Sequence, residues 1–335
     1  MDKKKVSVII PTFKRSKFLC RAIDSVLNQS YNNIEIIVVD DNGDGSQFRI
    51  DNENRLKKYK DNILFLKHEK NLNGAAARNT GILKATGEYI TFLDDDDIFM
   101  PYRIEKMVNA LEENVDFDGC YSEVGFAYYG NLYDVLSTSG SGNFQLDVLK
   151  MKNVIGTGSN LFFRKSVMDK IGLFDTNFLR NQDIEYLIRF FEYGKIYELK
   201  EMLVIKCKED EFNFSSNVEL MFKVKELFFD KFKKVIKKYP NDIDDIYICN
   251  YYPMYINSYK SSKFYPLIDT IYHILDSHGY KETKSNQIKT LIYKLLGEKI
   301  LARLFKYKMK FKVFINSRKY SKISDLVDFG GNKYE

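Results

Sequence analysis

The sequence GEYITFLDDDD at residues 87–97 places four carboxylates directly after an apolar run. The residues from Glu88 to Leu93 predict a buried strand, so the four aspartates follow at its carboxyl end. Like charges at such close spacing do not all stay ionised without a counter-charge, and carboxylate oxygens suit Mg²⁺ or Mn²⁺. A solvated acidic turn is the alternative for an isolated acidic run. The sequence around this run instead favours a metal together with an anionic ligand.

Three further apolar runs come before this strand, and helical patterns separate them. Val6 to Ile10, Ile34 to Val39 and Ile63 to Leu66 predict strands, because each is a short and mostly apolar run. Ser16 to Gln29 and Gly74 to Ala85 have the residue spacing of helices. Strands that alternate with helices in this way indicate βαβ units and a mostly parallel sheet covered on both faces.

Polar residues follow each of the four predicted strands. Ligands of parallel sheets bind beyond the carboxyl ends of the strands, which is where these residues should meet. The segments are PTF at 11–13, DDNG at 40–43, NLNG at 71–74 and DDDD at 94–97. The sequence therefore predicts one ligand-binding crevice at this edge of the sheet.

These blocks resemble the family 2 glycosyltransferases of the GT-A fold in their order, spacing and chemistry. The matching blocks are VSVIIPTFKR at 6–15, IEIIVVDDN at 34–42, NGAAARNTG at 73–81, GEYITFLDDDD at 87–97, GLFD at 172–175 and QDIEYLIR at 182–189. The resemblance implies an α/β, Rossmann-like GT-A catalytic domain over residues 1–218. Its nucleotide-binding half would span residues 1–100 and its acceptor half residues 101–218, and an α-helical C-terminal region would follow over residues 219–335.

The resemblance also implies a UDP-sugar donor and the residues that bind it. Thr12 and Phe13 would border the base, Asp41 would accept the uracil N–H, and Arg78 would lie against the base or a phosphate. An ion pair between Arg78 and one of the aspartates is the alternative. The complete set expected to contact the donor is Pro11, Thr12, Phe13, Arg15, Asp41, Asn73, Arg78, Asp94 and Asp95.

By the same resemblance, Asp94 and Asp96 form an Asp-any-Asp motif that holds Mn²⁺ or Mg²⁺. Asp94 would contact the ribose or the metal, and Asp96 would coordinate the metal that bridges the diphosphate. The other acidic residues, Asp40, Asp95 and Asp97, are expected to support this site or to cap neighbouring segments. The segment from residue 206 to 217 contains lysines but no histidine, so we assign no third metal ligand.

Glycosyl transfer needs a base for the acceptor hydroxyl, and Asp183 is the candidate. Relatives commonly carry Glu-Asp at the start of this helix, whereas this chain has Gln182 before Asp183. A helix cap is the alternative role for Asp183. Single displacement assisted by such a base inverts the anomeric configuration. The segment GTGSN at 156–160 is either an acceptor-binding segment or an ordinary turn, and Gly158, Ser159 and Gln182 are the acceptor candidates.

Composition agrees with a cytoplasmic enzyme. MDKKK at 1–5 leads straight into the first strand, so we expect no signal peptide, and no apolar run approaches the roughly 20 residues of a membrane span. The four cysteines lack metal-ligand spacing and are expected to be reduced, and the three histidines are expected to be structural or exposed. The net charge is +6, but no nucleic-acid motif accompanies it, so we predict no nucleic-acid partner.

The helical patterns after residue 219 end in a basic amphipathic segment from Glu298 toward Tyr320. Such a segment suits peripheral contact with the anionic inner face of the cell membrane, where a lipid-linked acceptor would be found. Packing on its own protein or on the partner in a homo-oligomer, with a solvated lysine face, is the alternative.

We therefore predict an inverting, metal-dependent hexosyltransferase that moves a sugar from a UDP-sugar to a glycan acceptor in bacterial capsule, lipopolysaccharide or other surface polysaccharide synthesis. A sugar nucleotidylyltransferase would require a Gly-rich basic loop after the first strand, and PTF at 11–13 is not such a loop. A catalytically weak binding or scaffolding subunit of a polysaccharide assembly complex is the other alternative. The presence of Asp94, Asp96 and Asp183 argues against it.

Overall fold

The computed structural model describes residues 3–208, 218–259, 265–316, 320 and 322–327. The chain forms two compact units. The first consists of Met1–Phe144, Asn153–Glu209 and Ile315–Glu335, and the second of Gln145–Lys152 and Asp210–Phe314. The domain bounds drawn from the sequence at residues 100 and 218 stay a prediction.

Within the described residues, nine strands of the first unit form one sheet in the order β3-β2-β1-β4-β8-β6-β9-β5, and β7 pairs with β6. The strands are β1 Val6–Thr12, β2 Ile34–Asp40, β3 Ile63–Lys67, β4 Tyr89–Phe92, β5 Ile98–Phe99, β6 Gly119–Tyr128, β7 Asn131–Leu136, β8 Phe162–Arg164 and β9 Ile196–Lys208. The first four are the predicted strands, and they pair in parallel. The second half of the sheet is mixed, because β8 runs antiparallel to both β4 and β6.

The strand register brings the predicted polar segments to one edge of the sheet. Thr12 lies opposite Asp40 at the ends of β1 and β2, and Ile9 lies opposite Phe92 at the end of β4. The residues that follow β2 and β4 therefore start from neighbouring positions beside the end of β1. This is the arrangement of strand ends that the sequence predicted for a ligand crevice.

Helices and short 3₁₀ turns of the first unit connect these strands, and one further short helix lies near the end of the chain. The helices are α1 Ser16–Leu27, α2 Gln47–Leu56, α3 Gly74–Lys84, α4 Arg103–Glu113, α6 Lys165–Ile171, α7 Gln182–Tyr193 and α12 Ile323–Leu326. The predicted helices α1 and α3 are confirmed. The apolar face of α1 is buried through Leu19, Ala22, Ile23 and Val26, as its 3.6-residue spacing requires.

Helix α3 lies so close to β1 that one position of the helix has no room for a side chain. A Cβ atom at Gly81 would lie 2.4 Å from Cγ2 of Ile9. Glycine is therefore required at this position for the two elements to approach each other.

The second unit is helical, as predicted. Its helices are α5 Gln145–Leu149, α8 Val218–Ile236, α9 Ile243–Ser258, α10 Tyr265–Ser277 and α11 Lys284–Asn316. The basic segment predicted from Glu298 does not begin a helix of its own, because it continues the helix α11 that begins at Lys284. Gly297 lies inside it, and a glycine weakens a helix by only about 1 kcal/mol, so it does not have to end one. No helix among the described residues is both long enough and apolar enough to cross a membrane.

Candidate active site

A cavity of about 440 Å³ opens in the first unit beside the carboxyl ends of β1, β2 and β4. The residues that line it are Pro11, Thr12, Phe13, Arg15, Asp41, Asn71, Asn73, Gly74, Ala77, Arg78, Asp94 and Asp95. All residues that the sequence analysis expected to contact the donor are in this set. The structure thus brings them together, and their contacts with a donor stay a prediction.

Asp41 follows β2 and anchors the loop that leads into α3. One carboxylate oxygen lies 2.7 Å from Nδ1 of His68 and accepts a hydrogen bond from the backbone N–H of Leu72 at 2.8 Å. The other oxygen accepts from the side-chain amide of Asn71 at 2.7 Å and from the backbone N–H of Asn73 at 2.9 Å. Asp41 therefore fixes the wall of the cavity as well as lining it.

Asn73 is the N-cap of α3, and its backbone has the positive φ of 84°. Its side-chain oxygen accepts hydrogen bonds from the backbone N–H groups of Ala75 at 2.9 Å and Ala76 at 3.3 Å. Its amide nitrogen donates to the carbonyl of Thr176 at 3.0 Å. The side chain of Asn73 thus sets the start of α3, where the helix faces the cavity.

Arg78 on α3 has two partners across the cavity. Its guanidinium donates to a carboxylate oxygen of Asp94 at 2.7 Å and to the side-chain oxygen of Gln182 at 3.1 Å. The ion pair that the sequence analysis gave as the alternative for Arg78 is therefore present. Gln182 stands where the resemblance implies a glutamate. Because Gln182 is neutral, the carboxylate that pairs with Arg78 here is that of Asp94.

Asp95 holds the turn that follows β1. Its carboxylate accepts hydrogen bonds from the hydroxyl of Thr12 at 2.7 Å and from the backbone N–H of Phe13 at 3.3 Å. Arg15 lies 3.7 Å from the same carboxylate and forms an ion pair with Asp96. Phe13 and Arg15 are therefore positioned by the aspartate run itself.

Asp97 is buried and ties three segments together. It accepts hydrogen bonds from the hydroxyls of Ser159 at 2.7 Å and Thr157 at 3.0 Å, and from the backbone N–H of Cys207 at 3.2 Å. The Ser159 hydroxyl also accepts from the backbone N–H of Asp94 at 2.9 Å. Because Ser159 is fully buried and its hydroxyl is engaged, the predicted contact of Ser159 with an acceptor has no support.

The four aspartates differ in their electrostatics because their partners differ. Burial would raise the pKa of Asp94, but the positive charges of Arg78 and Lys206 outweigh it and lower that pKa below its ordinary value. Burial raises the pKa of Asp95 to about 7. Burial and the neighbouring negative charges raise the pKa of Asp96 to about 8. A cation placed between these carboxylates would relieve that repulsion.

A second cavity, of about 380 Å³, adjoins the first. Gly74, Arg78 and Asp94 line both cavities. The other residues that line the second cavity are Gly156, Thr157, Gly158, Leu179, Arg180, Asn181, Gln182, Asp183 and Lys206. It therefore contains the predicted base and the acceptor candidates Gly158 and Gln182.

Asp183 is the second residue of α7, and the N-cap of that helix is Asn181. The carboxylate of Asp183 accepts a hydrogen bond from the backbone N–H of Ile184 at 3.0 Å. Asp183 is therefore not the N-cap of α7, which was its alternative role in the sequence analysis. A carboxylate in the first turn still stabilises a helix. Its place at the wall of the second cavity is compatible with a contact to an acceptor.

The residues at the aspartate run fit a metal that shares its coordination with a phosphate ligand. Among the described residues, no three His, Cys, Asp or Glu side chains gather closely enough to hold an ion. Side chains of Asp94 and Asp96 are 27% and 21% exposed, and two such carboxylates with phosphate oxygens and waters are a usual Mg²⁺ environment. The residues 209–217, where the sequence offered no histidine, lie outside the described part of the chain.

Three residues of this region were not assigned from the sequence. Asn71 lines the first cavity, and His68 is buried between Asp41 and Thr80. Lys206 on β9 lines the second cavity and donates to the hydroxyl of Thr157 at 3.2 Å. Burial would lower the pKa of this lysine, but the surrounding aspartates raise it above its ordinary value. The sequence signal for Lys206 was its place in the lysine-containing segment 206–217, near the end of the predicted acceptor half.

Arg103 is a fully buried arginine beneath the site, and no sequence motif predicted its position. Its guanidinium donates to the hydroxyl of Ser122, the side-chain oxygen of Asn160 and the carbonyl of Ser159, each at 3.2 Å. Burial lowers its pKa to about 9. Arg103 therefore positions Ser159, which in turn holds the backbone of Asp94.

Comparison with known proteins gives several likenesses. The family model described as Glycosyl transferase family 2 matches residues 7–172. An uncharacterized glycosyltransferase of Methanocaldococcus jannaschii is 29% identical over 213 residues, which are 62% of this chain and 72% of that protein. The poly(ribitol-phosphate) beta-N-acetylglucosaminyltransferase TarP of Staphylococcus aureus is 33% identical over 211 residues, which are 59% of this chain and 60% of TarP.

Solved structures share the fold at low sequence identity. The S. aureus TarS fragment 1-349 in complex with UDP-GlcNAc aligns with a TM-score of 0.55 at 15% identity, covering 88% of this chain and 92% of that fragment. Its complex with UDP aligns with a TM-score of 0.53 at 16% identity, covering 82% of this chain and 88% of the fragment. The likeness in fold agrees with the family model and the named relatives, and the chain belongs to glycosyltransferase family 2.

Proposed function

We propose that the protein transfers a sugar from a UDP-sugar to a glycan acceptor with inversion at the anomeric carbon. The observation that carries this proposal is the pair of adjoining cavities that share Arg78 and Asp94. One holds the residues expected to contact the nucleotide, and the other holds Asp183. A sugar bound across the shared wall would have its anomeric carbon between the leaving diphosphate and the base.

The first cavity suits a uridine diphosphate. Phe13 presents an aromatic ring that is 40% exposed, which offers a stacking surface for a base. The carboxylate of Asp41 and the amide of Asn71 lie at the same wall, where they bond each other, so a base N–H would compete with Asn71 for the Asp41 oxygen. The S. aureus TarS fragment was solved with UDP and with UDP-GlcNAc. This likeness supports a uridine nucleotide as the donor of this chain, and it does not identify the sugar.

The diphosphate would lie at the aspartate run, where cations of the chain are already present. Arg78 pairs with Asp94, and the negative charges of the same run raise the pKa of Lys206. A phosphate would compete with Asp94 for the Arg78 guanidinium. Asp94 and Asp96 would hold the Mn²⁺ or Mg²⁺ ion of this proposal, which when bound neutralises negative charge on the leaving diphosphate.

In the transfer step the acceptor oxygen attacks the anomeric carbon while its proton passes to the carboxylate of Asp183. The bond between that carbon and the diphosphate oxygen breaks, and its electron pair leaves with UDP. One such displacement inverts the configuration. Arg78 and Lys206 contribute positive charge on the side where the negative charge of the leaving group increases.

We further propose a bacterial surface glycan as the acceptor class. The name of TarP specifies a poly(ribitol-phosphate) substrate, and that protein shares 33% identity with this chain over 211 residues. A lipid-linked form of the acceptor, a cytoplasmic location and a homo-oligomeric state stay predictions. The alternative of a non-catalytic subunit requires that Asp183 have no role in turnover.

The variant Asp183→Asn tests the proposal because it keeps the size of the side chain but cannot accept a proton near neutral pH. Binding of UDP, measured by calorimetry, should stay near that of the parent. Release of UDP from a panel of UDP-sugars in the presence of glycan acceptors should fall by a factor on the order of 10² or more. The matched control Asp175→Asn alters a carboxylate that lines neither cavity.

Full transfer by Asp183→Asn would show that another group takes the proton. Absence of turnover by the parent with every UDP-sugar and acceptor, together with tight UDP binding, would favour the non-catalytic subunit. The product formed by the parent should have the inverted anomeric configuration, which NMR of the product determines.

A further inference from the structure

The carboxyl-terminal part of α11 carries an exposed apolar stripe. Ile300, Leu304, Tyr307 and Phe311 are all exposed, with Tyr307 at 71% and Phe311 at 63%. A helix turns by about 100° per residue, so these four side chains fall within a strip about 60° wide. Met309 lies on the opposite side of the helix and is only 6% exposed. The buried side of the helix and this stripe are therefore two different faces.

Cations border the stripe on both sides. By the same helical geometry, Arg303 and Lys310 flank one edge and Lys308 flanks the other, while the half-buried Lys312 lies about 40° further round on the Lys308 side. The sequence from residue 299 to 316 contains no Asp or Glu. Its cations are Lys299, Arg303, Lys306, Lys308, Lys310 and Lys312. An apolar aromatic stripe between two rows of cations is the pattern of a helix that lies in a lipid interface.

We propose that this face of α11 docks on an anionic lipid bilayer, with Tyr307 and Phe311 in the interface and the lysines at the headgroups. Aromatic rings suit the boundary between headgroups and acyl chains, and long lysine side chains reach from an apolar surface to charged groups. The proposal goes beyond glycosyl transfer and does not depend on it.

The charge of the segment disfavours a second copy of this chain as the occupant. Two such helices packed through their stripes would bring lysines against lysines, with no acidic residue between 299 and 316 to pair with them. A nucleic acid would use the cations but not the apolar stripe that separates them. An anionic bilayer satisfies the stripe and both rows of cations.

The test is cosedimentation of the full chain with vesicles. We expect binding to vesicles of phosphatidylcholine and phosphatidylglycerol in equal parts, little binding to vesicles of phosphatidylcholine alone, and weaker binding at high salt. Equal binding to both vesicle types, or no binding to either, would overturn the proposal. This comparison uses the parent protein and does not depend on the folding of any variant.

The double variant Lys308→Gln/Lys310→Gln tests the cationic rows. Its affinity for the anionic vesicles should fall by a factor of roughly 10 to 30, since each cation near such a surface contributes about a factor of five. The control Lys57→Gln/Lys60→Gln removes the same charge from exposed positions of the first unit. An equal loss in the control would mean that net charge rather than α11 drives binding, which would refute the docking face.

The double variant Tyr307→Ser/Phe311→Ser tests the apolar stripe, with Leu83→Ser/Val115→Ser as the control at exposed positions elsewhere. The first should lose most vesicle binding, whereas the control and UDP binding by both variants should match the parent. Unchanged vesicle binding by the stripe variant would contradict the proposal. Sedimentation equilibrium that detects a dimer dependent on Tyr307 and Phe311, with no vesicle binding, would assign the face to a second copy instead.

Discussion

The close approach of α3 to β1 predicts a specific effect of the substitution Gly81→Ala. The new Cβ would lie 2.4 Å from Cγ2 of Ile9 and 3.1 Å from its Cγ1, distances that require a shift of the helix or the strand. Both elements contribute to the first cavity, because α3 carries Arg78 and β1 ends at Thr12. The substitution should therefore reduce stability and UDP affinity together.

The expected loss can be estimated from opposing terms. Overpacking a core position costs typically 1–3 kcal/mol, while alanine favours a helix over glycine by about 1 kcal/mol. The net loss should thus be about 0–2 kcal/mol, and larger if the helix cannot shift away from β1. Ile9→Ala alone should cost about 2–5 kcal/mol, because Ile9 is fully buried. That substitution removes the two carbons that the alanine at position 81 would meet first.

A double-mutant cycle isolates the contact. In the Ile9→Ala background, Gly81→Ala should cost about 1–3 kcal/mol less than in the parent. Ile9→Val is the matched control, because it shortens the side chain but keeps Cγ1 and Cγ2. Urea unfolding followed by circular dichroism measures the stabilities, and the transition that changes between variants is compared because the chain has two units. Additive effects of Ile9→Ala and Gly81→Ala would refute the reasoning.

The remaining predictions concern three charged groups. Burial lowers the pKa of Lys225 to about 7. Between about pH 7 and about pH 10.5 the unfolded chain binds more protons, so the free energy of unfolding should rise by up to about 1.4 kcal/mol per pH unit. Lys225→Met should remove this rise, as measured by urea titrations at several pH values. An equal rise with pH in the variant and the parent would contradict the prediction. Asp41→Ala should weaken UDP binding in calorimetry and cost about 3 kcal/mol or more, because it leaves buried donors unpaired; unchanged UDP affinity would exclude the base-pocket role. Asp96→Asn should abolish the increase in UDP affinity caused by Mn²⁺, whereas the exposed control Asp116→Asn should keep it, and a retained increase would remove Asp96 from the metal site.

The parallel half of the sheet was predictable because its strands are buried on both faces. Continuous apolar runs such as Val6 to Ile10 have one reasonable interpretation when helical patterns separate them. The helix α2, Gln47–Leu56, was not predicted, because its sequence QFRIDNENRL lacks a continuous apolar face. The mixed half was not predicted in detail, since β5 has two residues and β8 has three, too few for a periodic signal.

Residues of the candidate site were predictable where a motif follows a strand, and not where tertiary packing supplies the partner. Arg103 belongs to a helix with an ordinary amphipathic pattern, and its contacts come from residues 19 to 57 positions further along the chain. Lys206 likewise meets Thr157 across 49 residues. No spacing rule connects positions so distant in sequence, so only the fold could bring these cations to their partners.

The aspartate run shows how position along one segment divides the roles of identical residues. Asp95 and Asp97 are buried and hold other segments, the turn after β1 in one case and the residues 157–159 with β9 in the other. Asp94 and Asp96 are the two that stay partly exposed. A ligand that takes the carboxylate oxygens of Asp95 or Asp97 from their present partners breaks buried hydrogen bonds, and each buried partner left unpaired costs about 1–3 kcal/mol. The segment can therefore offer two carboxylates to a metal and a diphosphate because the other two already fix its shape.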